Sequence, residues 1–318
     1  MRFLFVMDPV EKMIPDKDTT FAFIRGGEAR GHECLHCIPT DVYNVGRDVF
    51  AKARRVSVFD RPPHAKLGEE ATVDLSRIDA VFIRKDPPFD NAYGHLSRQL
   101  DLVKSRVLVL NDPSAIRDAN EKLYAFQFAE FMPRSLVSAD PKRLLDFVTE
   151  VGGHAVIKPL DGAGGTGVLA LSPGDRNTRS IIDILTREGQ ALALVQEYQP
   201  AVRVGDKRVL LLDGRPLGAI LRVPRSDDLR ANIHVGGRVE PTSLSPGEER
   251  LVAAIGPKLA AVGLYFVGLD LIGEKLIEVN VTSPTGIQEL GRFNGTRPEL
   301  EVVQWVEERV TARAAGEP

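Results

Sequence analysis

A chain of 318 residues is long enough for two domains, or for one large domain with a lid, and its 43% hydrophobic and 27% charged content is that of an ordinary globular protein. The formal net charge of -3 offers no electrostatic argument for nucleic acid or an anionic membrane as a partner. No apolar run approaches the ~20 residues of a membrane span, and the apolar stretch over residues 1–7 is too short for a signal peptide before it meets Asp8-Pro9.

Roughly the first 115 residues read as alternating strands and helices, hence a parallel sheet covered on both faces. A strand over 2–7 leads to a helix over 20–30, with Asp18 or Thr19 as cap and Gly31 as stop. A strand over 33–38 holds the only two cysteines, Cys34 and Cys37. A thioredoxin-type C-x-x-C would sit at a helix N-terminus and a zinc site would want a second ligand pair, so these read as buried thiols in a reducing cytoplasm. Residues 41–76 give no assignable pattern. A strand over 80–83 runs into the charged loop Arg84-Lys-Asp-Pro-Pro-Phe-Asp90, then come a helix to 104, a strand over 107–110 and a turn at 111–114. Ligands collect at the carboxyl ends of such strands, which nominates Asp8 and residues 84–90 for a pocket; ordinary polar loops are the alternative.

From Asn120 the texture changes. A helix over 121–130 is expected to carry Lys122 near its start, and a second, over 141–150, ends at Gly152-Gly153. Then comes Ala155-Val-Ile-Lys-Pro-Leu-Asp-Gly-Ala-Gly-Gly-Thr-Gly-Val-Leu-Ala-Leu171. Gly162, Gly164 and Gly167 match a dinucleotide fingerprint, but residues 168–171 continue as a strand where that motif requires a helix. The opening of a P-loop is also present, but Val168-Leu169 stand where Lys-Ser/Thr must be. What remains is strand, glycine loop, strand: a mobile hairpin, or a flap whose bare N–H groups close over phosphate that Lys158 neutralises. An apolar strand over 191–195 follows, ending in Gln196-Glu-Tyr-Gln-Pro200. A hairpin over 209–221 turns at Asp213-Gly214, with Asp206, Lys207 and Arg208 before it and Arg222 after it. Arg222 reads as a snorkelling surface arginine unless an anion waits for it. The polar loop 223–238 has the length of a lid, and a helix over 248–262 follows.

Two strands, 267–272 and 276–281, then flank a turn at Gly273-Glu274-Lys275. Asp270 lies in the first, Glu278 and Asn280 in the second, the latter two on one face by the pleat. A three-residue loop sets Asp270 across from Glu278 on that face and a two-residue turn does not, so the odd loop length is expected. Three oxygen ligands on a rigid hairpin suit a hard cation such as Mg²⁺; solvated carboxylates on an edge hairpin are the alternative. A helix over 300–315 closes the chain.

The order of lysine, lysine before a glycine flap, polar hinge, arginine-bearing hairpin and Asp…Glu-x-Asn resembles the ATP-grasp ligases, and over nearly the full length it is similar to the bacterial-type glutathione synthetases. The carrying residues are Met7-Asp-Pro9, 84–90, Asn120-Glu-Lys122, Lys158-Pro-Leu-Asp-Gly162, Asp206-Lys-Arg-Val209, Gly236-Gly-Arg238, Phe266-Val-Gly-Leu-Asp270 and Glu278-Val-Asn-Val-Thr-Ser-Pro-Thr285. The resemblance implies an α/β protein with a parallel-sheet substrate domain (1–118) and a two-lobed α+β ATP-grasp module (119–190 and 191–318). It implies that Lys122 and Lys158 bind ATP phosphates under the 162–167 flap, with Asp161, Gly162, Gly164, Gly165 and Asp206 among the nucleotide-site residues. Gln196, Glu197 and Tyr198 would line the adenine and ribose pocket. Asp270, Glu278 and Asn280 would hold Mg²⁺ or Mn²⁺. Arg208 and Arg222 would face the transferred phosphoryl group, and Arg238 with the 223–237 loop would close over the substrates. The implied substrates are ATP, γ-glutamylcysteine and glycine, in a cytoplasmic homotetramer or homodimer. A ligase with another dipeptide or amine acceptor is the nearest rival, and a catalytically silent nucleotide-binding scaffold the rival of another class. Two departures stand out: Ala163 where the family flap commonly has methionine, and Gln288 where many relatives have arginine.

Overall fold

The computed structural model describes residues 1–162, 164–225 and 237–316. Ala163 and most of the expected lid, 226–236, lie outside the described residues. Three sheets organise the rest.

The first sheet holds β1 (Arg2–Met7), β2 (Glu33–Cys37), β3 (Val42–Val45), β4 (Asp48–Val58), β5 (Ala65–Asp74), β6 (Ala80–Arg84) and β7 (Leu108–Leu110), with helices α1 (Thr19–Ala29), α2 (Asn91–Asp101) and α3 (Pro113–Asp118) between strands. Its order is β3-β4-β2-β1-β6-β7, with β5 on β4. Only β2, β1, β6 and β7 run parallel; β3, β4 and β5 add an antiparallel extension. The wholly parallel sheet read from the sequence is therefore corrected, and the unassigned residues 41–76 are where it fails. In β4, Lys52, Arg54 and Arg55 interrupt the apolar alternation while Ala51, Ala53 and Val56 still face the core.

Local signals place the parallel part. The Asp18 side chain accepts from Thr20 N (2.6 Å) and Phe21 N (3.2 Å) to start α1, and Gly31 follows it at a positive φ of 80°. Cys34 and Cys37, three apart on β2, face opposite sides of the sheet and enter different apolar clusters, so neither can bridge the other. Burial pushes the Cys34 thiol up to about 12 and that of Cys37 up as well.

The second sheet holds β8 (Ser135–Ser138), β9 (Ala155–Pro159), β10 (Leu169–Leu171) and β11 (Ala193–Glu197), in the order β10-β9-β11-β8, with α4 (Pro141–Glu150) and α5 (Thr178–Leu185) packed on it. By pairing, β11 belongs here, on the far side of the division at residue 190 read from the sequence. No helix carries Lys122. The Asn120 side chain accepts from Lys122 N (3.1 Å) and Leu123 N (3.0 Å), an Asx-type turn that competes with helix, and a 3-10 segment, Tyr124–Phe131, follows with a kink at Phe128.

The third sheet holds β12 (Asp206–Leu212), β13 (Arg215–Val223), β14 (Arg238–Pro241), β15 (Phe266–Ile272) and β16 (Lys275–Asn280), antiparallel in the order β14-β13-β12-β15-β16. Helices α6 (Pro246–Ala261), α7 (Ile287–Asn294) and α8 (Pro298–Ala314) complete the chain. The loop joining β15 and β16 is Gly273-Glu274, both at positive φ (54° and 62°), so it has two residues and not the expected three. Asp270 nevertheless faces Glu278. Leu271 pairs Leu276, Asp270 pairs Glu278, and the unmatched Ile277 forms a β-bulge that shifts the register by one. Among the described residues no helix is long and apolar enough to cross a membrane.

Candidate active site

Between the second and third sheets lies a cleft of about 930 Å³, its open mouth included. The floor is one face of the third sheet, and strand register decides which side chains reach it. Asp206 pairs Arg222, Arg208 pairs Asp270, Asp270 pairs Glu278, and Gly268 pairs Asn280. With the period of two along each strand, these residues form one continuous polar row across β13, β12, β15 and β16. Glycine at 268 gives the row its depth: a Cβ there would stand 2.9 Å from Arg208 Cδ.

The row is built of charge pairs. Arg208 donates to both Asp270 oxygens (Nε to Oδ1, 2.5 Å; Nη2 to Oδ2, 3.1 Å). Arg222 Nη2 reaches Asp206 Oδ2 (2.6 Å) and Asp270 Oδ2 (2.9 Å). Arg208, Arg222 and Asp270 are 6%, 4% and 3% exposed, so the snorkelling reading of Arg222 does not hold. Burial pushes the Asp270 carboxyl up, but Arg208 and Arg222 outweigh it and hold it below the usual carboxylate range. For Asp206 burial wins over Arg222 and the pKa rises to about 6. Asp206 Oδ1 and Arg222 Nε are buried and have no hydrogen-bond partner among the described residues. Unpaired buried polar atoms of this kind are costly in a native site and mark where a ligand group would bond.

The roof is the second sheet. Lys158 on β9 donates to Gln196 Oε1 (3.1 Å), and Gln196 Nε2 in turn donates to Ser135 Oγ (3.0 Å). Gln196 thus holds Lys158 in place as well as lining the cleft, and burial pushes the Lys158 ammonium down. Glu197 and Tyr198 line the same cleft. The glycine loop closes one end, with Gly164, Gly165 and Gly167 at positive φ (62°, 83° and 73°), conformations that only glycine adopts cheaply. Its strands β9 and β10 pair antiparallel, which makes it a hairpin flap. Lys122 joins roof and floor: its Nζ lies 2.9 Å from Glu278 Oε1 and donates to Gly162 O at 2.5 Å.

Some residues fall elsewhere. Asp161 lines a second, adjoining cavity with Pro87, Pro88, Phe89, Glu121 and Thr282. Arg84 is buried as a clamp, donating to Thr20 Oγ1 and Pro284 O between the rings of Phe23 and Phe266. Asp8 accepts from Asp86 N. The structure does not bring Arg238 to the cleft. It pairs with Val223, one position out of step with Arg222, so the pleat turns it to the opposite face, where it is exposed and bonded to Glu240. Residues not singled out from sequence include Val156, Ala170, Ile272 and Ile277, which give the cleft apolar walls. Val156 could have been found, since it alternates with Lys158 on β9. Ile277 could not, because the pleat sets it on the face opposite Glu278, and only the bulge lets both line the cleft.

The donor set fits a hard divalent cation. Asp270, Glu278 and Asn280 offer carboxylate and amide oxygens on one face, Asn280 Nδ2 being directed to Gly268 O (3.3 Å) and its oxygen left as the acceptor. Asp270 Oδ1 carries one N–H donor and keeps a lone pair.

Both halves of the chain match known sequence profiles: residues 1–117 the prokaryotic glutathione synthetase N-terminal domain, and residues 121–295 the ATP-grasp domain of the same enzymes. A glutathione synthetase of Synechocystis sp. is 40% identical over 97% of this chain and 100% of its own length. One of Gloeobacter violaceus is 41% identical over 97% of each, and one of Brucella melitensis biotype 1 is 40% identical over 91% of this chain and 93% of its own. Among solved structures, the D-cycloserine synthetase DcsG superposes with a TM-score of 0.64 at 15% identity, covering 96% of this chain and 99% of that one. The ATP-grasp ligase PsnB, in complex with a precursor peptide and AMPPNP, gives 0.62 at 17% identity, over 98% of each chain. At such identities these two attest the ATP-grasp fold alone.

Proposed function

Because the chain belongs to the prokaryotic glutathione synthetase family, we propose that it joins γ-glutamylcysteine to glycine by way of an acyl phosphate, at the cleft between its second and third sheets. It is an ATP-dependent ligase that forms glutathione. The observation that carries the placement is the convergence of Lys122, Lys158, Asp206, Asp270 and Glu278 in that one cleft, with Arg208 and Arg222 bonded to its two aspartates.

ATP would lie with its base among Gln196, Glu197, Tyr198 and the apolar walls, and with its phosphates at Lys122, Lys158 and the 162–167 flap, beside Asp206, with Asp161 in the adjoining cavity. Asp270, Glu278 and Asn280 would hold Mg²⁺ or Mn²⁺, which supplies charge neutralisation to the phosphate oxygens. The cysteinyl carboxylate forms a bond to the γ-phosphorus as the bond to ADP breaks. The glycine amine then attacks the acyl carbon, loses a proton, and phosphate leaves. Arg208 and Arg222, already oriented by Asp270 and Asp206, stabilise charge on the transferred group. No protein nucleophile takes part, so positioning and neutralisation carry the catalysis. Closure of the flap keeps water from the acyl phosphate.

The reading divides the chain into a substrate domain (1–118) and two ATP-grasp lobes, and assigns it as a homotetramer or homodimer, which light scattering reads directly. Free, buried Cys34 and Cys37 support a cytoplasmic location. ADP release measured with Mg-ATP and γ-glutamylcysteine, with and without glycine, tests the function. Release that requires both substrates and yields glutathione by mass supports it; no release under any combination overturns it.

A further inference from the structure

The polar row depends on a register that the hairpin turn alone does not provide. Running back from Gly273-Glu274, the ladder begins with Ile272 on Lys275 and Leu271 on Leu276. Continued without interruption it would set Ile277 opposite Asp270 and turn Glu278 and Asn280 to the other face. The bulge at Ile277 corrects this, but among the described residues β16 is an edge strand of its sheet, with no further strand to hold the corrected register.

Two side chains from outside the sheet hold it instead. Asn111, 4% exposed at the end of β7, donates from Nδ2 to Phe266 O (2.8 Å) and Val281 O (2.9 Å), and accepts from Phe266 N at Oδ1 (2.7 Å). One amide thus ties the first residue of β15 to the residue after β16. Glu121 works from the other side. Its main-chain oxygen accepts from Val279 N (3.0 Å), and its Oε1 accepts from Val281 N (3.1 Å), Thr282 N (3.3 Å) and Thr282 Oγ1 (2.8 Å). Val279 and Val281 flank Asn280, and Val281 has its N–H on Glu121 and its C=O on Asn111. Neither side chain lines the nucleotide cleft.

We propose that Asn111 and Glu121 are positioning residues that lock the open end of the β15–β16 hairpin in its bulged register and so keep Asp270, Glu278 and Asn280 on one face. The proposal rests on the cation site assigned above, and its consequence is specific. Loss of the clamp loosens the relative placement of the three oxygen ligands, while Lys158, Gln196 and the flap, on another sheet, stay where they are. Partners that orient metal ligands typically govern affinity or activity by about 10- to 100-fold.

The test uses the full chain and compares Glu121→Ala, Glu121→Gln and Asn111→Ala with the parent. Mn²⁺ affinity is titrated by electron paramagnetic resonance with a non-hydrolysable ATP analogue present, and kcat and the KM for ATP are measured alongside. Glu121→Ala and Asn111→Ala are expected to weaken Mn²⁺ binding and lower kcat by about 10- to 100-fold, with the KM for ATP within about threefold. Glu121→Gln keeps the accepting oxygen and is expected to remain within about threefold of the parent in both. Undiminished Mn²⁺ affinity in a folded Glu121→Ala protein overturns the proposal, as does a glutamine variant as damaged as the alanine one. Should Asn111→Ala fail to fold, the Glu121 pair decides alone. Because Mn²⁺ binding is read without turnover, a parent that made no glutathione would sink the ligase reading and leave the clamp still under test.

Discussion

Arg222 sits between two carboxylates on neighbouring strands, and that placement sets what its loss should do. Its guanidinium bonds Asp206 and Asp270 while Nε has no partner among the described residues, so the side chain is pre-oriented with one donor to spare. On the proposed function, replacing it with alanine removes a cation aimed at the transferred group, an effect of about 10²- to 10³-fold in kcat for a comparable charge-stabilising donor. The KM for ATP is expected to move by less than about threefold, since Lys122 and Lys158 are untouched. Steady-state kinetics separate the two, and an unchanged kcat would reduce Arg222 to a structural ion pair. Glu278→Gln keeps the shape of the side chain and removes the charge facing Lys122. It is expected to abolish metal-dependent turnover without altering the circular dichroism spectrum, and near-normal turnover would take Glu278 out of the cation set.

At the scale of elements, the flap hairpin and the β15–β16 hairpin supply much of the proposed site. Gly162 leaves no room for a side chain: a Cβ would stand 2.8 Å from both Pro159 Cγ and the main-chain oxygen of Thr166. Such overpacking costs ~1–3 kcal/mol. If it falls on the closed flap, Gly162→Ala should raise the KM for ATP by about five- to a hundred-fold; an unchanged KM would show that the flap closes without this contact. The flap was legible in sequence because a strand follows the glycines where a dinucleotide motif needs a helix. The common face of Asp270 and Glu278 was legible too, though by the wrong device, since a bulge leaves no mark in the amino-acid pattern while a loop length does. Lys122 was expected on a helix because the apolar residues after it are helical in texture; the Asn120 side chain captures two N–H groups first. The missing antiparallel extension has a similar cause, as exposed Lys52, Arg54 and Arg55 mask a strand that is buried on one face only. Arg238 lay beyond reach, because its face depends on the register in which β14 pairs β13, which the amino-acid pattern does not show.

At the scale of the molecule, the C-terminal helix α8 returns to the first domain. Glu307 on α8 takes a bidentate bond from Arg30 (2.7 and 2.5 Å) and one from His32 (2.5 Å). The Arg30 hydrogen bonds, opposed by burial and aided by His32, hold the Glu307 carboxyl at about 2. A carboxyl held below its ordinary value of 4.5 contributes stability that is present above that value and lost as the pH falls toward 2. The Glu307 side chain is 20% exposed and that of Arg30 36%, so solvent screens the pair and the contribution is modest. Thermal unfolding across that window should show a shallower acid decline for Glu307→Gln than for the parent, and parallel curves would mean the contact does not couple α8 to α1.

The β15–β16 hairpin also obeys a parity rule. Which face Asp270 shares depends only on whether the loop length and the number of bulges sum to odd or even. Two loop residues with one bulge, as here, and three loop residues with none place the same acids on the same face. An insertion after Gly273 together with deletion of Ile277 thus leaves the polar row in register and removes only the apolar side chain that Ile277 gives the cleft wall. Length variation in that turn among related chains need not signal altered chemistry unless it arrives without its compensating partner.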